Sequence, residues 1–403
     1  MISRVRIGDL GEVITGNTPP RNKPEYYGSH TPFIKATDID ESSKYTYSPE
    51  ESYSEVGYKK YRKSLIPKGS TCVVTIGSIG KKMTMAHCDC FINQAMNAII
   101  PSADYDPEYV YYVVKNNVHR LKSLDSGTAS GRENVSKSAF SNLEIDVIDD
   151  IGIQKRIGSV LSNYDDLIEN NQKQIKLLEE AAQRLYKEWF VDLRFPGHET
   201  TPIVDGVPEG WCVSSVGDCS CFLRRGISPK YNEEGSSIVI NQKCIRQSVV
   251  DLNEARRQEK SFAPEMNLND SDTVICSTGA GTLGRVGQVF GQQPNTTFDS
   301  HVTLVRASNI VGRQYLYHFL KSKQQYLQGM GKGSTNQLEL NRATIQELVL
   351  LIPSVKTQNA FECQAQPIHD QITTLTKQIA LLQEARDKLL PKLMRGELEN
   401  EDF

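Results

Sequence analysis

Three stretches of this chain have residue types at spacings that could bind nucleotides or act on a base. Gly279-Ala280-Gly281-Thr282-Leu283-Gly284 fits the dinucleotide pattern G-x-G-x-x-G and follows a strand-like run. A phosphate site needs a helix N-terminus next, yet Arg285-Val286-Gly287-Gln288-Val289-Phe290 reads as a strand, so a hairpin turn is expected. Gly80-Lys81-Lys82 and Gly331-Lys332-Gly333 resemble a phosphate loop, but Thr75 and Tyr326 stand where its first glycine belongs, and no Ser or Thr follows the lysine. Asn17-Thr18-Pro19-Pro20 lacks the aromatic that would stack on a flipped base, and reads as a turn. These residues define no catalytic constellation.

A polar, donor-rich vocabulary does recur. Lys35, Thr37 and Asp38 follow one strand-like run, and Asn241, Gln242, Lys243 and Arg246 follow a similar one. Glycine turns carry Lys81 and Lys82 in one place and Arg285 in another. Loops rich in Gly, Ser, Thr and Asn hold Arg132 and Asn134, then Lys332, Ser334 and Asn336. Arg and Lys suit guanine edges, Asn and Gln suit adenine, and hydroxyls suit phosphate oxygens. These residues are the candidate DNA contacts, with ordinary solvated loops as the alternative reading of each. Lys35-Ala36-Thr37 against Asn241-Gln242-Lys243 would suit two different half-sites.

The elements that must position these loops are duplicated. Gln154 to Phe190 aligns without a gap on Gln358 to Met394 at an offset of 204, with 11 of 37 positions identical. Upstream, Gly8, Gly16 and Ile34 match Gly217, Gly226 and Ile240, and Cys72, Gly77, Gly80 and Lys81 pair with Cys276, Gly281, Gly284 and Arg285. The chain therefore reads as domain, helix, domain, helix. Short apolar runs such as Thr71 to Ile76, mixed with helical patterns at Tyr109 to Leu121 and Gln314 to Leu327, give an α+β fold twice over.

Each helical stretch carries a heptad seam. The first includes Ile168, Asn171, Ile175, Leu178 and Leu185, the second Ile372, Leu375, Ile379, Leu382 and Leu389. A helix of about 37 residues spans roughly 55 Å and must bury its seam, either on its counterpart as an antiparallel coiled coil with pseudo-twofold symmetry or on its own domain. Asn171, polar within an apolar stripe, would fix the register. A Pro- and Gly-bearing linker from Arg194 to Trp211 separates the first helix from the second domain, and an acidic tail follows the second.

Composition sets outer bounds. The 403 residues are 38% apolar and 24% charged with net charge −3, and no run has the roughly 20 apolar residues of a membrane span. A cytoplasmic protein is expected, without a membrane partner. Residues 1–150 carry a net charge of −1 and 200–354 of +1, so a DNA-binding face must come from local clusters such as Lys59 to Lys63, Arg224-Arg225 and Arg256-Arg257. The nine cysteines form no framework, and neither His87-Cys88-Asp89-Cys90 nor Cys219-Ser220-Cys221 has zinc-knuckle spacing, so reduced thiols and no metal are expected.

The chain resembles the DNA specificity subunits of type I restriction-modification systems. The resemblance rests on Gly8-Asp9 with Gly16 to Pro19, on Trp189-Phe190-Val191-Asp192, on Pro208, Gly210 and Trp211, and on Leu389-Leu390-Pro391-Lys392-Leu393-Met394-Arg395-Gly396-Glu397-Leu398. It implies a target recognition domain over residues 1–150, a spacer helix over 151–195, a linker and second recognition domain over 196–354, and a second spacer helix with the tail over 355–403. It further implies that each domain reads half of a bipartite double-stranded site and that the helices set the gap. Catalysis would belong to methyltransferase and restriction-translocase subunits, which use S-adenosylmethionine, ATP and Mg, none of them bound by this chain. Two rival readings stay open: an enzyme built on Gly279 to Gly284, and a coiled-coil scaffold that joins proteins without reading DNA.

Overall fold

The computed structural model describes residues 1–126, 133–246, 248–279, 281–331 and 339–397. Two compact units emerge, one of Met1–Asn170 with Ile379–Phe403 and one of Asn171–Gln378. Each therefore combines one globular segment with part of each long helix.

In the first unit, strand Ile2–Arg6 pairs antiparallel with Glu144–Ile148 and brings the ends of the globular segment together. Gly11–Thr15, Met96–Pro101, Thr71–Val74 and Met83–Met85 form an antiparallel sheet in that order. A second sheet runs Tyr27–Gly28, Glu51–Tyr53, Thr31–Ile34, Phe91–Ile92, with its last pair parallel. Helix Pro107–Asn117 starts where Asp106 accepts the Tyr109 amide at 3.0 Å and proline fills the first turn. Its run Tyr109 to Val114 is buried among Ile7, Leu10 and Phe140, together with Ile157 and Leu161 of the first long helix and Leu390 and Leu393 of the second.

The second unit repeats the plan. Cys212–Ser215 pairs with Val349–Ile352, and a six-stranded and a three-stranded sheet follow. Helices Arg313–Ser322 and Gln324–Gly329 pack on them. Linker residues Ile203–Val204 and Val207–Pro208 make a small hairpin, and Trp211 then enters the core beside Phe190 and Phe195.

Hydrogen bonds fix which residues correspond. Ile7 and Val216 donate to the carbonyls of Leu143 and Leu348, and Asn93 and Asp299 donate to those of Ile34 and Ile240. A Cβ on Gly16 or Gly226 would come within 2.1 or 2.0 Å of a carbonyl oxygen, so both places require glycine. The ungapped sequence pairing slips in the next hairpin, however. The amides of Val74 and Cys276 donate to Lys82 and Arg285, and the same two residues face Met96 and Val302 across the sheet. Val74 rather than Cys72 is thus the counterpart of Cys276, Gly77 that of Gly279, and Lys82 rather than Lys81 that of Arg285. The second turn holds one extra residue, so the offset is 202 before it and 203 after it, and a constant offset of 204 fits neither side.

The long helices run Ile151–Tyr186 and Val355–Met394, the first closing in a π-turn at Lys187–Val191 that buries Trp189 and Phe190. Within each unit the helix segments pack antiparallel, and they pack on the globular segment as well. In the first, Asp165 bonds Arg386. In the second, Asn171 donates to Gln378 at 3.2 Å, while Tyr186 and Phe190 meet Phe361 with ring centroids 6.4 and 4.9 Å apart. Ile168, Ile372 and Leu375 are buried, but Ile175, Leu178, Leu185, Ile379, Leu382 and Leu389 are only half-buried. Asn171 thus finds a polar partner within the stripe, which also admits buried Asp165 and Arg386, each under a tenth exposed.

Where each long helix begins, the units share one contact and exchange another. Gln154 Oε1 accepts the amide of Asp106 at 2.9 Å, and Gln358 Oε1 accepts that of Gly312 at 3.0 Å. In the first unit Asp106 caps the globular helix and Gly158 of the long helix leaves it room, for a Cβ there would lie 2.8 Å from the Asp106 carboxylate. In the second, the cap position is Gly312, and Glu362 of the long helix supplies the carboxylate, accepting from Gln314 at 3.4 Å and Tyr315 at 3.0 Å. A Cβ on Gly312 would lie 2.2 Å from Glu362 Oε1.

Candidate nucleic-acid interface

In the first unit three loops converge. The turn after Thr31–Ile34 is closed by Asp38, whose carboxylate accepts the Lys35 amide at 2.8 Å, leaving Thr37 exposed. Lys82 Nζ reaches the Ala36 carbonyl at 3.3 Å, joining the glycine turn to it, while Lys81 points to solvent. Gly77 and Val135 then bond to Glu133 and Thr75, at 3.0 and 2.9 Å, bringing up Asn134, whose amide donates to Asp125. Arg132 lies outside the described residues.

Lys35 is no free cation. Its Nζ sits 2.5 Å from Glu50 and 3.3 Å from Glu51, and its side chain is 15% exposed. Arg21 also grips Glu51, at 3.0 and 2.9 Å, and lies over the Tyr27 ring. Burial pushes the Glu51 carboxyl up, but Arg21 and Lys35 together bring it below its ordinary range. Lys35 is held above the usual ammonium range chiefly by its bond to Glu50.

The second unit brings the equivalent loops together with other residues. Asn241 caps a short turn by accepting the Lys243 amide at 2.8 Å, and Cys276 Sγ lies 3.8 Å from the Gln242 carbonyl oxygen. Arg246 spans the same turn, donating to Lys243 O at 3.1 Å and to Glu254 at 3.5 Å. Lys243 and Arg246 are exposed, while Gln242 and Arg285 are half-buried. Thr278 and His301 meet at 2.6 Å beside Ser277, whose carbonyl accepts from Arg225. Lys332, Ser334 and Asn336 lie outside the described residues. The segment around Gly279 and Gly281 is the turn between antiparallel strands Thr273–Cys276 and Val286–Gln288, with φ of 103° and 76° at those glycines.

Sequence reading missed Arg21, Tyr27, Tyr231 and His301, whose ring contacts, strand pairing and hydrogen bonds no local motif displays. The basic clusters do not all stay available, since Arg225 is tied to Glu339. Cys72, Cys90, Cys219, Cys244 and Cys276 are buried thiols, and burial pushes Cys72, Cys244 and Cys276 up to about 12. Among the described residues no helix is long and apolar enough to cross a membrane.

Two copies of one α+β unit, alike in scaffold and different in the residues of their converging loops, define a duplicated recognition protein. The model of the type I restriction modification DNA specificity domain matches residues 3–180 and 208–390, once per repeat. The chain belongs to this family, the DNA specificity subunits of type I restriction-modification systems. It is 28% identical over 423 residues to the MjaIX specificity subunit of Methanocaldococcus jannaschii, covering 99% of this chain and 94% of that protein. A stretch of 141 residues is 34% identical to the HindI specificity subunit of Haemophilus influenzae, covering 34% of this chain and 30% of the relative. The crystal structure of a type I restriction-modification S subunit from M. genitalium shares the fold, with a TM-score of 0.57 at 17% identity over 98% of this chain and 96% of that one.

Proposed function

We propose that the chain reads a bipartite double-stranded DNA site, each unit contacting one half-site through its converging loops, with the long helices setting the gap. The observation that carries this reading is the contrast between invariant frame and variable tip: Ile34 and Ile240 make the same bond, yet Lys35 and Asn241 follow them. Different side chains on one scaffold suit different base edges. Methyltransferase subunits would dock on the helices, where Leu167, Leu177 and Leu381 remain more than half exposed. Restriction-translocase subunits would join that assembly, and S-adenosylmethionine, ATP and Mg would serve those partners, leaving this chain without catalysis of its own.

The test is methylation mapping in cells carrying the whole system. Exchanging residues 1–150 for another family member's first domain should alter one half-site and leave the other intact. Inserting one heptad after Gln172 and another after Lys377 should widen the gap by roughly 10 Å, about three base pairs. Changes in both half-sites from the exchange, or an unaltered gap from the paired insertion, would refute the reading. Micromolar binding of S-adenosylmethionine or ATP to the isolated chain by calorimetry would instead favour the enzyme reading.

A further inference from the structure

One position beside the recognition loops changes sign between the units. Strand register places Phe33 opposite Glu51 and Val239 opposite Arg256, with Thr31 opposite Tyr53 and Ser237 opposite Gln258. Glu51 and Arg256 are therefore structural counterparts. So are Tyr27, which pairs with Tyr53, and Tyr231, which bridges Gln258. Both tyrosines lie beneath a guanidinium, but the arginine comes from a different place. Over Tyr27 it is Arg21, 4.9 Å from the ring centroid and bonded through Nη1 to both carboxylate oxygens of Glu51, which also holds Lys35. Over Tyr231 it is Arg256 itself, at 3.6 Å.

The consequence is electrostatic. In the first unit a carboxylate inside the cluster satisfies its cations. In the second, Arg256 occupies the carboxylate's place, Asn241 replaces the second cation, and no carboxylate pairs with Arg256 among the described residues. Arg256 is exposed and lines an open cleft of about 300 Å³ with Tyr231, Asn232, Glu233 and Arg257. Arg257 spends one N–H on the Gly235 carbonyl at 3.0 Å, and Glu233 is the cleft's one acidic group. The Arg256 guanidinium is held by its contact with the Tyr231 ring and by a bond to the same tyrosine's hydroxyl, which leaves further N–H donors for an anion.

Resting on the DNA-reading function proposed above, we infer that Arg256, stacked on Tyr231, is a DNA phosphate contact of the second unit, and that Glu51 deletes its counterpart from the first. A phosphate anchor beside the Asn241–Arg246 loop would fix where that loop meets the bases without reading sequence itself.

The test uses the full chain with its methyltransferase subunits on duplexes carrying the mapped site, with dissociation constants measured across a salt series. Arg256→Gln should weaken binding roughly tenfold, and the slope of log K against log salt should become shallower by about 0.9. The loss should be equal for the native duplex and for duplexes with one altered base pair. Arg256→Lys should keep most of the slope and Tyr231→Phe should bind as the parent does, while Glu51→Gln, which releases Arg21 but leaves Lys35 on Glu50, should steepen the slope. An unchanged slope in Arg256→Gln would overturn the inference, as would relaxed discrimination at a single base pair, the mark of a base contact. If the parent complex preferred no duplex at all, the failure would lie with the DNA-reading function instead. Circular dichroism of each variant separates misfolding from lost contact.

Discussion

Arg386→Ala should open the first unit while leaving the tryptophan environment of the second intact. Arg386 and Asp165 are 6% and 5% exposed, and Asp165 also accepts the Tyr112 hydroxyl at 2.6 Å. Burial pushes the Asp165 carboxyl up, but Lys115 and Arg386, with the Tyr112 bond, more than offset it and bring it below the usual range. Truncating the arginine leaves a buried carboxylate without its hydrogen-bonded cation, a loss of about 3–5 kcal/mol for comparable pairs. For a unit of this size that is a fall in thermal midpoint of roughly 6–20 °C, at 2–4 °C per kcal/mol. Both tryptophans, Trp189 and Trp211, lie in the second unit, so their fluorescence reports there while far-ultraviolet dichroism reports on the whole chain. The variant should show an early dichroism transition without an early fluorescence change. Asp165→Ala combined with Arg386→Ala should cost less than the two single losses added, because neither charge is then stranded. Additive losses, or a loss from Arg386→Ala below about 1 kcal/mol, would refute the argument that this pair holds the helices. Since Asp165 is depressed in the folded state, its stabilisation is complete at neutral pH and fades as pH falls through its folded value.

Other outcomes follow from the same reasoning. Burial pushes Glu179 up to about 7, against opposing effects of Lys321, Ser248 and Tyr317, so its stabilisation is present below its unfolded value and is lost as pH rises toward 7; Glu179→Gln should flatten the thermal midpoint between pH 5 and 8, and an unaltered profile would count against it. Burial drives His318 down to about 3, so the second unit should lose stability as pH falls below the ordinary imidazole range; His318→Asn should reduce that acid sensitivity in the fluorescence transition. Asn171→Leu should raise the midpoint, by about 1 kcal/mol of added apolar burial, and a drop would show that the Gln378 contact matters more for stability than register arguments allow.

The repeat, the α+β class and the long helices were legible because each imprints a period on the sequence. Glycine at 16 and 226 and glutamine at 154 and 358 mark places where one backbone contact admits one side chain. The loop chemistry was less legible. Lys35 looks like a free cation in sequence, but Glu51, which opens the adjoining strand, and Glu50 just before it take its charge. The pairing of Lys81 with Arg285 failed because the offset between the repeats changes along the chain, and a shift of one or two residues leaves no trace in residue type. The heptad seam named the right face of each helix but not Asp165, because a buried carboxylate looks like surface until its arginine, more than two hundred residues on, is known.

The exchanged carboxylate at the helix starts bears on how such chains can be recombined. A hybrid seating the first globular segment on the second helix would set Asp106 against Glu362, two acids competing for one amide cluster. The reverse graft would pair Gly312 with Gly158 and leave that cluster without either. Inherited shuffling between the halves of this chain is thus filtered by a lock of two parts, and a viable crossover carries both parts or repairs one.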